Sequence, residues 1–271
     1  MVNMQESAGV ADAGGVTAEV GCARFSGGRW VRSPVQVPSE AELTIYVNQR
    51  ELVTVLCTPT RLNYLVLGFL YAEGIIAGLD DVVTMRVCGD EAVADVRLAN
   101  PAYEPPVLRT LTSGCGGGAV FQTTGEMVES DFVTTPGETL LLMKRLQAEM
   151  DLYRTCGGVH TSALAGAGHL LVVAEDIGRH NTLDKIQGEC LAGELPTRDR
   201  LLLTTGRVSK EMLLKAARMR VPVVVSRHSP TGTAVELARD LGIALVGHAA
   251  GDRLTVYSHP ERLGCPADRV L

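Results

Sequence analysis

A cysteine surrounded by glycines is the first feature of this sequence that could do chemistry. Cys115 lies in Leu111-Thr112-Ser113-Gly114-Cys115-Gly116-Gly117-Gly118. The glycines let the backbone turn sharply and leave the thiol unshielded. The reactive form is the thiolate, and a free thiol with a pKa of about 8.5 is only a few per cent ionised at pH 7. The segment predicts a nucleophilic thiol that can visit two sites; a glycine-rich turn around a small buried cysteine is the alternative.

A polar cluster follows a predicted strand at Leu170–Ala174. Its members are Glu175, Asp176, Arg179, His180, Asn181, Asp184 and Lys185. In an open α/β sheet, ligands bind beyond the carboxyl ends of the strands, where helix N-termini can receive an anion. Capping of the next helix by Asn181 and Asp184 is the alternative. A cap, however, does not require so many charged residues.

Polar loops follow three further predicted strands in the same way. These loops are Thr204–Lys210, His228–Thr233 and His248–Arg253. The first places Arg207 beside a glycine but lacks the Lys-Ser/Thr ending of a P-loop. Because the carboxyl ends of parallel strands meet at one edge of a sheet, the four loops predict a ligand site there.

Alternating strands and helices from residue 157 onward position these loops. Periodicity predicts strands at Leu170–Ala174, Leu201–Thr204, Pro222–Ser226 and Ala244–Val246, and helices at Asn181–Leu191, Lys210–Met219 and Thr231–Leu241. This alternation predicts an α/β fold with a mostly parallel, helix-covered sheet.

The chain before residue 157 has a different pattern. It predicts a hairpin over Glu42–Leu56, a helix that closes at Gly74, short strands up to Asn100 and a helix from about Thr139 to Thr155. We therefore divide the chain into a flexible tail (1–25), a strand-rich N-terminal part that carries Cys115 (26–135) and an α/β domain (136–271).

Composition narrows the class of protein. A net charge of −6 argues against broad binding to nucleic acid, and no apolar run reaches the ~20 residues that cross a bilayer. Seven scattered cysteines indicate free thiols and, with no signal-peptide pattern, a cytoplasmic protein. The sequence also lacks the zinc-deaminase, HExxH and GxSxG motifs. His160 is either a general base or a structural histidine.

Taken together, these motifs resemble the FdhD/NarQ family. The resemblance rests on Val47-Asn48, Thr58-Pro59, Gly68–Ile76, Gly158–Thr161, Glu175–Asn181 with Asp184-Lys185, Thr205–Ser209, Ser229–Thr231 and Val246–Tyr257, and it covers about residues 30 to 263. It implies a cytidine-deaminase-like core without the deaminase zinc site, and a homodimer.

The resemblance also implies a function. It is that of a sulfur carrier, a sulfurtransferase with a cysteine persulfide intermediate. Such a protein takes sulfur from a cysteine desulfurase and passes it to the molybdenum bis(molybdopterin guanine dinucleotide) cofactor before that cofactor enters formate dehydrogenase. The cofactor is thus a bound substrate, and no resident metal is expected.

The family's functional positions map onto this chain as follows. The persulfide cysteine corresponds to Cys115, and the cofactor-binding stretch to His248, Ala249, Ala250, Gly251, Asp252 and Arg253. From their positions at strand ends, we add Arg179, His180 and Arg207 to the cofactor site.

One departure from the family keeps an alternative open. Many relatives carry CxxC in the cysteine loop, whereas Gly118 occupies the second position here. A single thiol still suffices to carry sulfur if the acceptor or an external reductant discharges it. The alternative is a chaperone that shelters the cofactor and docks apo formate dehydrogenase without sulfur transfer. A cysteine hydrolase that uses His160 or His180 lacks the expected spacing.

Overall fold

Two β-sheets, one in each half of the chain, form the framework of this protein. A computed structural model describes residues 3–6, 15–89, 92–104, 110–111, 119–120 and 125–266. The order of helices and strands along these residues confirms the predicted α/β class.

The first half is built mainly of strands. Its elements are β1 (Asn3–Glu6), β2 (Thr17–Ser26), β3 (Arg29–Pro38), β4 (Ala41–Val47), β5 (Arg50–Cys57), α1 (Leu62–Ala72), a 3₁₀ turn (Leu79–Asp81), β6 (Val82–Cys88), β7 (Val93–Leu98), β8 (Thr110–Leu111) and β9 (Ala119–Val120). One sheet has the strand order β1-β6-β7-β4-β5. The predicted hairpin is β4–β5, and its turn residues Asn48 and Gln49 both have positive φ. A two-residue turn of this kind matches the twist of the flanking strands.

The second half alternates helices and strands. Its elements are α2 (Pro136–Ala148), α3 (Asp151–Cys156), β10 (His160–Gly166), β11 (His169–Asp176), α4 (Arg179–Ala192), β12 (Leu201–Thr204), α5 (Lys210–Arg218), β13 (Val223–Ser226), α6 (Gly232–Asp240), β14 (Ala244–Ala250), β15 (Arg253–Ser258) and a 3₁₀ turn (Pro260–Leu263). The helix predicted near 139–155 is therefore two helices.

The sheet of the second half is mixed, so the prediction of a mostly parallel sheet was wrong. Its strand order is β11-β10-β12-β13-β14-β15. The two pairings among β12, β13 and β14 are parallel. In contrast, β10 runs antiparallel to both its neighbours, and β15 runs antiparallel to β14. The small side chains of β10 (HTSALAG) do not give the β-branched pattern that indicates a strand.

Helices cover both faces of this sheet, as predicted. Alternate residues of a strand point to opposite faces. Leu202 of β12 packs in a cluster with residues of α4, α5 and α6. Its neighbours Leu201 and Leu203 pack on the other side with Leu142 and Leu146 of α2.

The chain before residue 26 differs from the flexible tail that the sequence predicted. Residues 17–26 form β2, which pairs along its whole length with β3. The sequence does not indicate this hairpin because most of its side chains are exposed, so its strands show no hydrophobic alternation. The boundaries at 25 and 135 otherwise stay predictions.

Helices α1 and α4 hold the two halves together. A Cβ atom on Gly68 of α1 would overlap the carbonyl oxygen of Asp184, and one on Gly188 of α4 would overlap the carbonyl oxygen of Tyr64. The two backbones therefore touch where each helix carries a glycine. No side chain fits between them without moving a helix.

Replacing Gly68 by alanine is expected to destabilise the protein by about 1–3 kcal/mol, because the added methyl group forces α1 away from α4. Gly137 in α2 is the matched control, since nothing lies within 4 Å of a Cβ there. Alanine at 137 should stabilise the helix by up to about 1 kcal/mol. Denaturant unfolding of both variants measures the difference. Equal stability of the two would contradict the close contact.

Candidate functional site

The carboxyl ends of four strands lie at one edge of the second sheet. β12, β13 and β14 are parallel, and β11 has the same direction because β10 runs antiparallel to both β11 and β12. Helices α4, α5 and α6 begin at this edge, and the side chains of Ser209 and Thr231 cap the last two. The loops with candidate residues therefore lie side by side, as the sequence predicted.

Arg179 and His160 meet at the centre of this edge. Arg179 is the first residue of α4, and only 9% of it is exposed. A Cβ atom on Gly206 would lie 3.0 Å from the Cβ atom of Arg179 and 3.5 Å from Nδ1 of His160. Glycine at 206 thus allows the loop after β12 to approach both side chains. The three residues come from three different elements.

His180 lies beside them in a hydrogen-bonded group with Glu211 and Ser209. Its Nε2 is 3.2 Å from Oε2 of Glu211 and 3.2 Å from Oγ of Ser209. Burial lowers the pKa of His180. The hydrogen bond with His180 in turn lowers the pKa of Glu211. Glu211 therefore stays a carboxylate that orients an imidazole which is neutral near pH 7.

His228 and His248 complete the cluster. The backbone N–H of His248 donates to the carbonyl oxygen of His228 at 3.4 Å, and both residues are exposed. Burial, followed by Arg179 and His228, lowers the pKa of His160. Because the partly buried imidazoles are neutral near pH 7, Arg179 supplies the permanent charge inside the cluster. This arrangement suits an anionic ligand.

The predicted site residues are thus divided between the cluster and the rim. Arg179 and His180 lie inside, and Arg207 lies exposed in the loop after β12. The stretch His248–Arg253 is the bulged turn between β14 and β15, at the end of a longer strand than predicted. Within it Ala249 is buried, whereas the side chains of Asp252 and Arg253 are almost fully exposed.

Cys115 lies outside the described residues, and its assignment stays a prediction. Glu211 is not among the predicted site residues. An acidic residue in the first turn of a helix usually indicates interaction with the helix dipole. Only the fold shows that it faces His180. In the described part of the chain, no group of three His, Cys, Asp or Glu side chains is placed to hold a metal ion.

Three other members of the polar cluster after β11 have a structural role. Nζ of Lys185 lies 2.6 Å from Oδ2 of Asp176, and both side chains are fully buried. Lys185 also donates to the carbonyl oxygen of Thr58, at the end of β5. Asp184 is buried too and pairs with Lys215 of α5. Through Thr58, the Asp176–Lys185 pair joins the two halves of the protein beneath the site, whereas the Asp184–Lys215 pair joins α4 to α5.

The six cysteines in the described residues are free thiols. Two of them, Cys57 and Cys190, are buried, and burial raises the pKa of each to about 12. Because the thiolate is the nucleophile, these two are poor candidates for sulfur transfer.

We therefore expect Cys57 and Cys190 to resist alkylation in the folded protein. At pH 8, only about one in 10⁴ molecules of a thiol with a pKa near 12 is ionised. Iodoacetamide labelling followed by peptide mass mapping should leave both unmodified while the partly exposed Cys22 and Cys265 react. Labelling in denaturant is the control and should modify all four. Equal rates in the folded protein would refute the assignment.

A buried arginine among imidazoles at the carboxyl edge of an α/β sheet lies where proteins of this fold class receive anionic groups. The model of the FdhD/NarQ family matches residues 38–264, so the chain belongs to that family. The predicted resemblance is thereby confirmed.

Curated relatives agree with this assignment. The sulfur carrier protein FdhD of Geobacillus kaustophilus is 37% identical over 249 residues, which is 89% of this chain and 95% of that protein. The sulfur carrier protein FdhD of Staphylococcus aureus (strain MRSA252) is 36% identical over 248 residues, covering 89% and 94%.

A solved structure has the same fold. It is the crystal structure of a protein from Desulfotalea psychrophila assigned as a formate dehydrogenase accessory protein, with a TM-score of 0.77 and 24% identity over 92% of this chain and 99% of that one. Within the described residues, every helix is too short or too polar to cross a lipid bilayer.

Proposed function

We propose that this protein is a sulfur carrier for the maturation of formate dehydrogenase. The observation that carries the proposal is the family match over residues 38–264, with relatives named sulfur carrier protein FdhD at 36% and 37% identity. The protein is then a sulfurtransferase with a cysteine desulfurase as donor and formate dehydrogenase as recipient.

Sulfur transfer proceeds through a persulfide on Cys115. The Cys115 thiolate attacks the outer sulfur of the donor's Cys-S-SH, the donor's S–S bond breaks, and the donor cysteine leaves as a thiolate. The outer sulfur then passes from Cys115-S-SH to the acceptor. Release of this sulfur as sulfide uses two electrons, which an external thiol reductant or the acceptor supplies, because Gly118 provides no second thiol.

The acceptor is the molybdenum bis(molybdopterin guanine dinucleotide) cofactor, bound as a substrate at the carboxyl edge of the second sheet. Its diphosphates are anions, and the cluster around Arg179 and His180 offers charged and neutral donors to them. Arg207 and the turn His248–Arg253 lie at the same edge and extend the site.

The chain is long enough for Cys115 to serve this site. It lies ten residues before Gly125, which packs against Leu214 in the middle of α5 and Leu241 at the end of α6. Ten residues span up to about 35 Å when extended, whereas the four-residue strand β12 is only about 13 Å long. Covalent geometry therefore lets the thiol act at either edge of the sheet.

Three further assignments belong to this proposal. The second half has a cytidine-deaminase-like core, which its order of two helices, an antiparallel strand pair and then alternating helices and strands supports. The protein acts in the cytoplasm. It forms a homodimer.

Mass spectrometry tests the sulfur-carrier proposal. After incubation of the full chain with a cysteine desulfurase and cysteine, one added sulfur is expected on the peptide that contains Cys115, and dithiothreitol should remove it. The Cys115→Ser variant is the control and should gain no sulfur there. A Cys115→Ala variant that fully restores formate dehydrogenase activity in a deficient host would overturn the proposal.

The second candidate is a chaperone that shelters the cofactor and docks apo formate dehydrogenase. Gly118 in place of a second cysteine favours it. In that case Cys115→Ala would bind the nucleotide normally and also support formate dehydrogenase activity. If Cys115→Ala instead binds the nucleotide normally but does not support formate dehydrogenase activity, the protein acts as a sulfur carrier.

A further inference from the structure

The hairpin formed by β2 and β3 is a projecting arm. Its strands pair in register from Thr17 opposite Pro38 to Ser26 opposite Arg29, and ten residues in a strand extend about 33 Å. The base lies on the protein, where Pro38 contacts Gly158 just before β10. Away from the base most residues are exposed, including all of 29–32. We call residues 18–34 the arm.

The arm exposes large apolar side chains on both faces. On one face Trp30 and Phe25 are paired, with ring centroids 5.2 Å apart, although 71% of Trp30 and 59% of Phe25 are exposed. The other face carries Val20 and Val31, which are 43% and 46% exposed. A lone two-stranded ribbon is only marginally stable in water. Exposed aromatic side chains of this kind are typical of interaction surfaces.

The arm is also basic, whereas the rest of the chain is acidic. Its residues 18–34 contain three arginines and one glutamate, Glu19, for a net charge of +2; since the whole chain carries −6, the remainder carries −8. Arg24 and Arg29 line a groove of about 550 Å³ along the arm, together with Val31. Such a groove accepts carboxylate side chains. The body of a second copy of the same chain carries a net charge opposite to that of the arm.

We propose that the arm docks on the body of a second copy, and that the two copies exchange arms about a two-fold axis. Each arm face covers roughly 330 Å² and as much on the surface beneath it, so two equal contacts bury about 1,300 Å², within the range of a stable interface. The inference rests on the homodimer proposed above and names its interface. It does not depend on the sulfur chemistry.

The experiment uses Trp30, the single tryptophan of the chain, as a reporter. Sedimentation velocity and tryptophan emission are measured on the full chain across a dilution series, at low and high salt. Dimers should dissociate on dilution, and the emission should shift to the red as Trp30 becomes exposed. High salt should weaken the dimer because it screens the arginines.

Variants assign the interface to the arm. Phe25→Ala should raise the dimer dissociation constant at least ~30-fold, as expected for an aromatic anchor. Reversing Arg24, Arg29 and Arg32 to glutamate should also favour the monomer. The control makes the same change of charge at three residues exposed outside the arm, by replacing Arg97, Lys144 and Arg239 with glutamate. It should raise the dimer dissociation constant less. Unchanged melting temperatures exclude misfolding.

Three results would overturn the inference. The first is a monomer at all concentrations. This includes a monomer whose Trp30 emission shifts only when a cysteine desulfurase is added, because the arm would then bind that enzyme. The second is a dimer that the arm variants leave intact. The third is buried Trp30 emission in the dilute monomer. The persulfide assay on Cys115 in the same samples reports separately on the sulfur-carrier proposal.

Discussion

Replacing Lys185 by methionine is expected to lower the free energy of unfolding by about 3–5 kcal/mol, because it leaves the Asp176 carboxylate buried without its counter-charge. Asp176 accepts further hydrogen bonds from the backbone N–H groups of Thr58 and Gly178. These bonds fix the end of β5 to the start of α4. The variant should therefore loosen the junction between the two halves as well as destabilise the whole protein.

Denaturant unfolding with a second substitution tests this cause. In the Lys185→Met, Asp176→Asn double variant the uncompensated charge is gone, so we expect part of the lost stability to return. Lys144→Met is the matched control; Lys144 is exposed on α2, and its replacement should change stability by less than about 0.5 kcal/mol. A Lys185→Met protein as stable as this control would contradict the role of the ion pair.

The same ion pair shows what a sequence can predict about a polar cluster. The spacing of Asp176, Asp184 and Lys185 correctly places them where a strand leads into a helix. It does not show that Lys185 turns back to Asp176 and Thr58, or that Asp184 faces Lys215 thirty-one residues later. Such partners depend on how distant segments pack. A dense polar motif therefore combines candidate site residues with structural ones.

Local patterning explains which elements of the fold were predictable. Buried strands such as β12 and amphipathic helices such as α5 carry a strong hydrophobic period, and their predicted bounds agree with the structure to within a residue. By contrast, β10 is made of small residues and β2 is exposed, so neither has that period. Because the sequence did not predict β10, the sheet was also expected to be mostly parallel.

The site was predictable to the extent that strand direction determines it. Polar loops after β11, β12, β13 and β14 had to meet once those strands shared a direction, and this brought Arg179 and His180 to one edge. The distance between Arg179 and His160 could not be predicted, because it depends on β10 lying antiparallel between β11 and β12.

Replacing Arg179 by alanine is expected to weaken binding of guanosine diphosphate, a probe for the nucleotide part of the cofactor, by about 10- to 100-fold. The reason is the loss of charge-assisted hydrogen bonds, which contribute about 1.5–3 kcal/mol each. Arg179 is the buried permanent charge of the cluster, whereas His160 and His180 have lowered pKa values and remain neutral near pH 7. Among the described residues of the cluster, Arg179 is the one permanent cation.

Titration calorimetry at constant salt measures the affinity, with melting temperatures to establish that each variant is folded. Arg179→Lys keeps the charge but loses the planar fork, so its affinity should lie between those of the wild type and Arg179→Ala. Arg97→Ala removes an exposed arginine from the N-terminal sheet and should bind like the wild type. If Arg179→Ala and Arg97→Ala bind the nucleotide equally well, the anion site lies elsewhere. The exposed turn around Arg253 would then be the next candidate, because it occupies the same edge without burying its charge.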